Sequence, residues 1–221
     1  MIPEIELQKI IDVAISIIRD DITQNGGVPS DTIIHYLLDG EGSFEGKYDF
    51  YDQAVDIFKN KDEHNPRFLE SRLFFDKERA AIPTIHIMAN GENNNNNGIG
   101  VDQGFVGEHV NGAGTSQRAV YNRHFDANFS IVITSDNSME TILIFYVLKA
   151  MLISAFDHIQ LSGFVNPQIS GRDINISQDL VPNGIFARSI DLKAGYELSV
   201  PANTFRSIIS KFISILNPVT N

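Results

Sequence analysis

Residues 122–159 constrain this chain more tightly than any other stretch. Phe125, Ala127, Phe129, Ile131 and Ile133 alternate with Asp126, Asn128, Ser130 and Thr134. A two-residue period held over that length predicts a strand with one buried face and one polar face. The run stops at Ser135-Asp136-Asn137-Ser138, residue types that cap helices, and Glu140 stands three places after Asn137, as in a capping box. From Met139 to Phe156 the chain is apolar on nearly every side, with Lys149 the only charge after Glu140. A helix of that kind is expected to be buried all round. One long strand therefore feeds one central helix, about 138–159, through a tight polar turn.

The flanking segments fill in an architecture. Leu7, Ile10, Ile11, Ala14, Ile17, Ile18 and Ile22 recur at three- and four-residue spacing, which predicts an amphipathic helix over 3–24. Pro3 suits its first turn, and Asn25-Gly26-Gly27 ends it. Val13 and Ile15 fall outside that stripe, and the excess marks this helix as a candidate contact with a second chain. A short helix is expected over 31–38, a glycine-rich acidic loop over 39–47, and a helix over 48–60 carrying Tyr51, Ala54, Val55 and Phe58. Strands are expected at 67–76 and 82–88, with Pro83 near a sheet edge. Residues 90–117, rich in asparagine and glycine, predict a long flexible loop that a partner would order. Asn166-Pro167 predicts an irregular link, followed by a short strand over 173–177. Alternation from Phe186 to Val200 predicts a second long strand with a bulge at Gly195. Phe205, Ile208, Ile209, Phe212, Ile213 and Leu216 predict a C-terminal amphipathic helix.

The order of elements implies an α+β fold: a mainly antiparallel sheet packed on the buried central helix, with amphipathic helices at both ends. Two regions follow along the chain, a helical part over 1–64 and an α+β core domain over 65–221, with one core expected for 221 residues.

Charge narrows the function classes. Seventeen basic against twenty-eight acidic residues give a net charge of −11, which argues against general affinity for duplex DNA. With no cysteine, disulfides, thiolate metal sites and thiol nucleophiles are excluded. The N-terminus lacks a basic region before an apolar run, and the apolar part of the central helix is shorter than the ~20 residues a bilayer demands. A soluble, non-secreted protein without membrane contact is expected.

Motifs for catalysis are weak. The glycines of Gly98-Ile-Gly-Val-Asp-Gln-Gly104 miss the dinucleotide fingerprint, and no lysine stands in the P-loop position. None of the six histidines forms an H-x-x-x-H pair, and no serine lies in G-x-S-x-G. His124 and Asp126 share a strand face, joined by His86 if its strand pairs alongside, and form the best acid–base group on offer. A solvated strand face is the simpler reading, so no catalytic, cofactor or metal residue is assigned and no enzyme is expected. Aromatic residues are more suggestive. Phe44, Tyr48, Phe50 and Tyr51 crowd the glycine-rich loop, while Phe105 and Tyr121 bracket the flexible one. Together with Val13 and Ile15 they are candidate subunit contacts.

Two stretches carry a resemblance. Residues 66–87 give a strand, a charged turn and a strand ending Ile82-Pro-Thr-Ile-His-Ile87. Residues 124–140 run His124-Phe-Asp-Ala-Asn-Phe-Ser-Ile-Val-Ile-Thr-Ser-Asp-Asn-Ser-Met-Glu140 into the apolar helix. In this order, with a glycine-rich loop between them, they resemble the tail-terminator and neck-ring proteins of tailed bacteriophages, over about Pro66 to Pro201. The helical part before His64 and the run Asn93 to Asn97 exceed the simplest members of that family. The resemblance implies a small α+β fold and a non-catalytic virion subunit, made in the bacterial cytoplasm. It implies a homo-oligomeric ring at the head–tail joint or tail end, bounded by neck, portal-adaptor or tail proteins, through which DNA passes without specific binding. The alternative is a cytosolic partner-binding or regulatory domain without catalytic activity.

Overall fold

The computed structural model describes residues 2–25, 28–38, 43–44, 48–59, 67–73, 82–94, 105–110, 117–173 and 184–201. In chain order these form α1 (Pro3–Asn25), a 3-10 turn (Pro29–Asp31), α2 (Ile33–Leu37), the short pair β1 (Ser43–Phe44) and β2 (Tyr48–Asp49), and α3 (Phe50–Lys59). Then follow β3 (Glu70–Leu73), β4 (Thr84–Asn94), β5 (Phe105–Val110), β6 (Gln117–Ser135), α4 (Ser138–Ser154), α5 (Phe156–Leu161), β7 (Phe164–Asp173) and β8 (Phe186–Pro201).

The fold is α+β. Its main sheet runs β3-β4-β6-β8-β7, with β5 pairing β6 beyond the end of β4. β6 and β8 form the spine, antiparallel and unshifted from Val120↔Pro201 to Ser135↔Phe186. Because side chains alternate, this register sorts both strands at once. Phe129, Ile131, Ile190 and Leu192 lie buried on one face, joined by Ile85 and Ile87 of β4. The helices cover that face. α1 touches β3 and β4, α4 touches β6 and β8, and α5 touches β7. A continuous core joins Leu7, Ile11 and Ile18 of α1 to Phe58 of α3, Leu148 of α4 and the sheet, so the two regions along the chain share one interior.

Arg19 helps to close this interior. Its guanidinium lies 4.3 Å from the centre of the Phe68 ring and donates to the carbonyls of Phe58 and Leu69, at 3.2 and 2.5 Å. Those bonds tie α1 to the end of α3 and the approach to β3. Burial holds Arg19 below its ordinary value, and Asp12 partly offsets that.

Several expectations need correction. β3 and β4 pair in parallel, not antiparallel, from Glu70↔Thr84 to Leu73↔Ile87. Much of the expected loop over 90–117 is strand: β4 runs on to Asn94, β5 fills 105–110, and β6 begins at Gln117. Pairing along β6 supplies what local propensity does not. Asn166-Pro167 lies inside β7 rather than in a link, and the bulge expected at Gly195 sits opposite it. β8 keeps its register with β6, while β7 shifts between Val165 and Gln168, where Asn166 has φ of 48°. Proline lacks the N–H a central strand needs, and β7 is an edge strand of the described sheet. The central helix is divided at Ala155 into α4 and α5. It is also not buried all round, because Tyr146 and Ile153 stand 54% and 55% exposed. Most of the expected strand over 173–177 and all of the expected C-terminal helix lie outside the described residues.

One close approach depends on a missing side chain. A Cβ on Gly171 of β7 would stand 2.5 Å from Cζ of Phe145, whose ring is buried beneath the Arg188 guanidinium. Gly171→Ala is therefore expected to destabilise the fold by about 1–2 kcal/mol through overpacking. Gly184→Ala, with nothing within 4 Å but φ of +95°, is the comparison for strain without crowding. Urea unfolding of the three proteins measures both.

Candidate functional site

The corner between β6 and α4 gathers polar groups from distant parts of the chain. Asn137 is the helix N-cap, its Oδ1 accepting from the N–H groups of Met139 at 2.9 Å and Glu140 at 3.5 Å. Only this half of the expected capping box forms. The Glu140 carboxylate turns instead to the Ser135 hydroxyl and to Arg67 Nη2, the latter at 2.5 Å. The N–H of Asn137 donates to Ser135 Oγ at 3.0 Å.

Arg67 approaches from just before β3 and spans two carboxylates. Nη1 lies 3.2 and 3.3 Å from the two Asp136 oxygens, while Nη2 reaches Asp136 at 3.2 Å as well as Glu140. The hydrogen bonds to Asp136 and then Glu140 hold Arg67 above its ordinary value. Arg67 in turn holds the Asp136 carboxyl below the usual range. The Glu140 side chain is only 9% exposed and Arg67 is 45% exposed, so one end of this bridge is buried and the other wet. An open cleft of about 610 Å³ lies alongside, lined by Gln53, Asp56 and Ile57 of α3, by this corner and by Phe186. With Asp56, Asp136 and Glu140 in its lining and Arg67 already committed to two of these carboxylates, the cleft favours a basic or neutral polar guest.

A second polar cluster lies on the sheet face away from the helices. Ser130 of β6 donates to Asp191 of β8 at 2.6 Å and accepts from Asn90 at 2.5 Å. Ser189 donates to the same Asp191 oxygen at 2.9 Å, and Arg172 of β7 pairs with its other oxygen at 2.9 Å. The cluster thus crosses β4, β6, β8 and β7. It keeps Ser130 and Ser189 buried yet satisfied.

Of the three residues weighed as an acid–base group, His86 stands apart from the other two. His86 shares the face of His124 and Asp126 but pairs with Val132. Six residues of strand separate that position from Asp126, about 20 Å at strand rise. His124 stands opposite Glu197, and Asp126 opposite Gly195.

The candidate contact residues divide. Ile15 and Tyr51 belong to the core, 3% and 8% exposed, and Thr32 donates to the Tyr51 hydroxyl at 3.2 Å. They are corrected from surface to interior: Ile15 falls within the arc of α1 turned to the sheet, and Tyr51 faces inward from α3. Phe50 is half-buried against the core. Val13 is 54% exposed. Phe44 pairs with Tyr48 across the short β1–β2 ladder, and Phe105 pairs with Tyr121 between β5 and β6. Register therefore makes direct cross-strand partners of the aromatic residues that flank each loop. Sequence spacing does not disclose the acids of Arg67, which stand 69 and 73 residues further on, nor the links of Asp191 to Ser130 and Arg172, since only Ser189 lies nearby in the chain.

No helix among the described residues is long and apolar enough to cross a membrane. Among the same residues no group of three or more histidine or carboxylate side chains is placed to hold a metal ion. No protein-family model and no curated protein matches the chain.

Arg67→Ala leaves buried Glu140 with Ser135 alone and is expected to cost about 1–2 kcal/mol, measured by urea unfolding. The pH dependence has a definite sign. A carboxyl lowered in the folded state stabilises fully above its ordinary value, here 3.8, and loses that contribution as pH falls through the lowered one. Asp136 is half exposed, so the effect is small. Wild-type stability should fall more steeply below that value than the stability of Arg67→Ala.

Proposed function

We propose that this chain is a structural subunit of a symmetric ring at the head–tail joint or tail end of a tailed bacteriophage. The observation that carries this reading is apolar surface beyond what the chain's own core uses. Val13 and Ile17 on α1, and Tyr146 and Ile153 on α4, are large apolar side chains between 44% and 55% exposed in a protein of net charge −11. Surplus of this kind at helical spacing favours subunit contact. The resemblance of residues 66–87 and 124–140 to tail-terminator and neck-ring proteins supports a ring at that place as the proposed assembly. In this reading the chain is not an enzyme and takes no cofactor. The excess of acid over base suits a channel wall past which DNA slides without being held. The β1–β2 and β5–β6 ladders, carrying Phe44, Tyr48, Phe105 and Tyr121, are the places offered to neighbouring neck, portal-adaptor or tail proteins.

Light scattering and negative-stain images of one purified fraction test the reading. Rings, or a mass that rises with concentration, are expected, followed by incorporation when the protein is added to phage particles that lack it. A chain that stays monomeric and also fails to join such particles overturns it and favours a partner-binding domain.

A further inference from the structure

α4 carries a discrepancy that the fold leaves open. It is apolar around almost its whole circumference, yet Tyr146 and Ile153 face solvent, with Lys149 between them and Ile142 one turn before, both half-buried on the same side. Residues spaced by three and four form one stripe along a helix. Its only charge is positive. The Arg188 guanidinium beside it lies over the rings of Phe145 and Tyr146, at 5.3 and 6.0 Å, and is paired with Asp173.

α1 carries a second stripe with the opposite balance. Ile5, Val13 and Ile17 are exposed along it, and Ile2 just before the helix continues it. The charges beside them are Glu6, Lys9, Asp12 and Asp20, acidic in formal sum, with Lys9 bonded to Glu6 at 2.8 Å and Asp12 accepting from the Ser71 hydroxyl at 2.6 Å.

The two stripes belong to different helices that rest on different strands. α1 rests on β3 and β4, at one end of the sheet order, whereas α4 rests on β6 and β8 with Phe145 over Gly171 of β7, at the other. A chain with an apolar face carrying a lysine on one helix and an apolar face with an acidic balance on another is complementary to a copy of itself placed head to tail. We infer that α4 of one copy docks on α1 of the next, with Ile153 and Tyr146 against Val13 and Ile17 and with Lys149 facing the acidic residues of α1. A contact between two different faces propagates, and under rotation it closes into a ring. This inference rests on the ring reading above and names the surfaces that would build it.

Mixing two variants of the full chain tests it. Ile153→Asp removes the α4 face and leaves α1 intact; Val13→Asp does the reverse. Both positions are more than half exposed, so the core is untouched, and circular dichroism checks the fold of each. Should either aspartate unfold the chain, Tyr146→Ser and Ile17→Ser take their places. In sedimentation velocity the wild type is expected to self-associate with concentration, and each variant alone to weaken that association at least tenfold. The mixture is expected to give a one-to-one dimer and nothing larger, since each partner keeps one usable face. A mixture that stays monomeric, or a variant that assembles like the wild type, overturns the inference. Wild-type rings together with a silent mixture remove this contact and leave the ring reading standing. A wild-type chain that never self-associates also removes the contact, and the ring reading is then decided on the particle.

Discussion

The ladder between β6 and β8 is the constraint on which the rest of this structure depends. Its register is unbroken over sixteen residue pairs, from Val120↔Pro201 to Ser135↔Phe186. A slip of one residue would carry Phe129 and Ile131 to the face of Ser130 and Asn128, and would bury the polar side chains beneath the helices. Two features hold the register from opposite faces. On the helical side, Phe129, Ile131, Ile190 and Leu192 are at most 1% exposed. On the other, Ser130 and Asp191 meet Asn90 and Arg172 in a hydrogen-bonded cluster that exists in one alignment only. Burial gives the ladder its strength, and the polar cluster gives it specificity.

The corner at the end of β6 converts that ladder into a helix position. Ser135 is the last residue of the strand and also bonds Glu140, one turn into α4, and the Asn137 N–H. Strand end, cap and first turn are thereby fixed as one piece. Arg67 then joins this piece to the approach to β3, sixty-nine residues before Asp136. Arginine suits the task because its planar fork reaches two carboxylates at once. Its head is half in water and Glu140 is buried, so the bridge orders the corner more than it adds net stability.

The sequence disclosed elements whose signal is local. Alternation located β6 and β8, helical spacing located α1 and α3, and the Ser-Asp-Asn-Ser turn located the start of α4. Features set by long-range pairing stayed hidden. Nothing in residues 70–73 or 84–87 encodes that their strands run parallel. Glycine and asparagine around β5 predict a loop, and only the partner strand makes it a strand. Pro167 was misread for a related reason: proline breaks a central strand but is tolerated at a bulge on an edge. The site was less legible than the fold. Asn137 was visible as a cap, but Arg67 has no sequence neighbour that reveals its two acids. His86, His124 and Asp126 share a face by parity, and only the register of β4 against β6 sets His86 apart from the other two.

Periodicity reports which residues are apolar and not what covers them. Applied to α1, the rule set Ile15 outside the helical stripe, yet packing takes it into the core while Val13 remains outside. The buried arc of α1 is wider than a narrow stripe because the helix meets sheet on one flank and α2, α3 and α4 on others. Applied to α4, the same rule predicted burial on every side, and the chain leaves Tyr146 and Ile153 in water. Single exposed apolar residues are ordinary on any protein surface. Here they recur along one face of a helix whose remaining faces are core. Among the described residues the chain's own packing explains Ile15 and leaves Tyr146, Ile153 and Val13 more than half exposed, and it is this exposure that the proposed contact between copies would use.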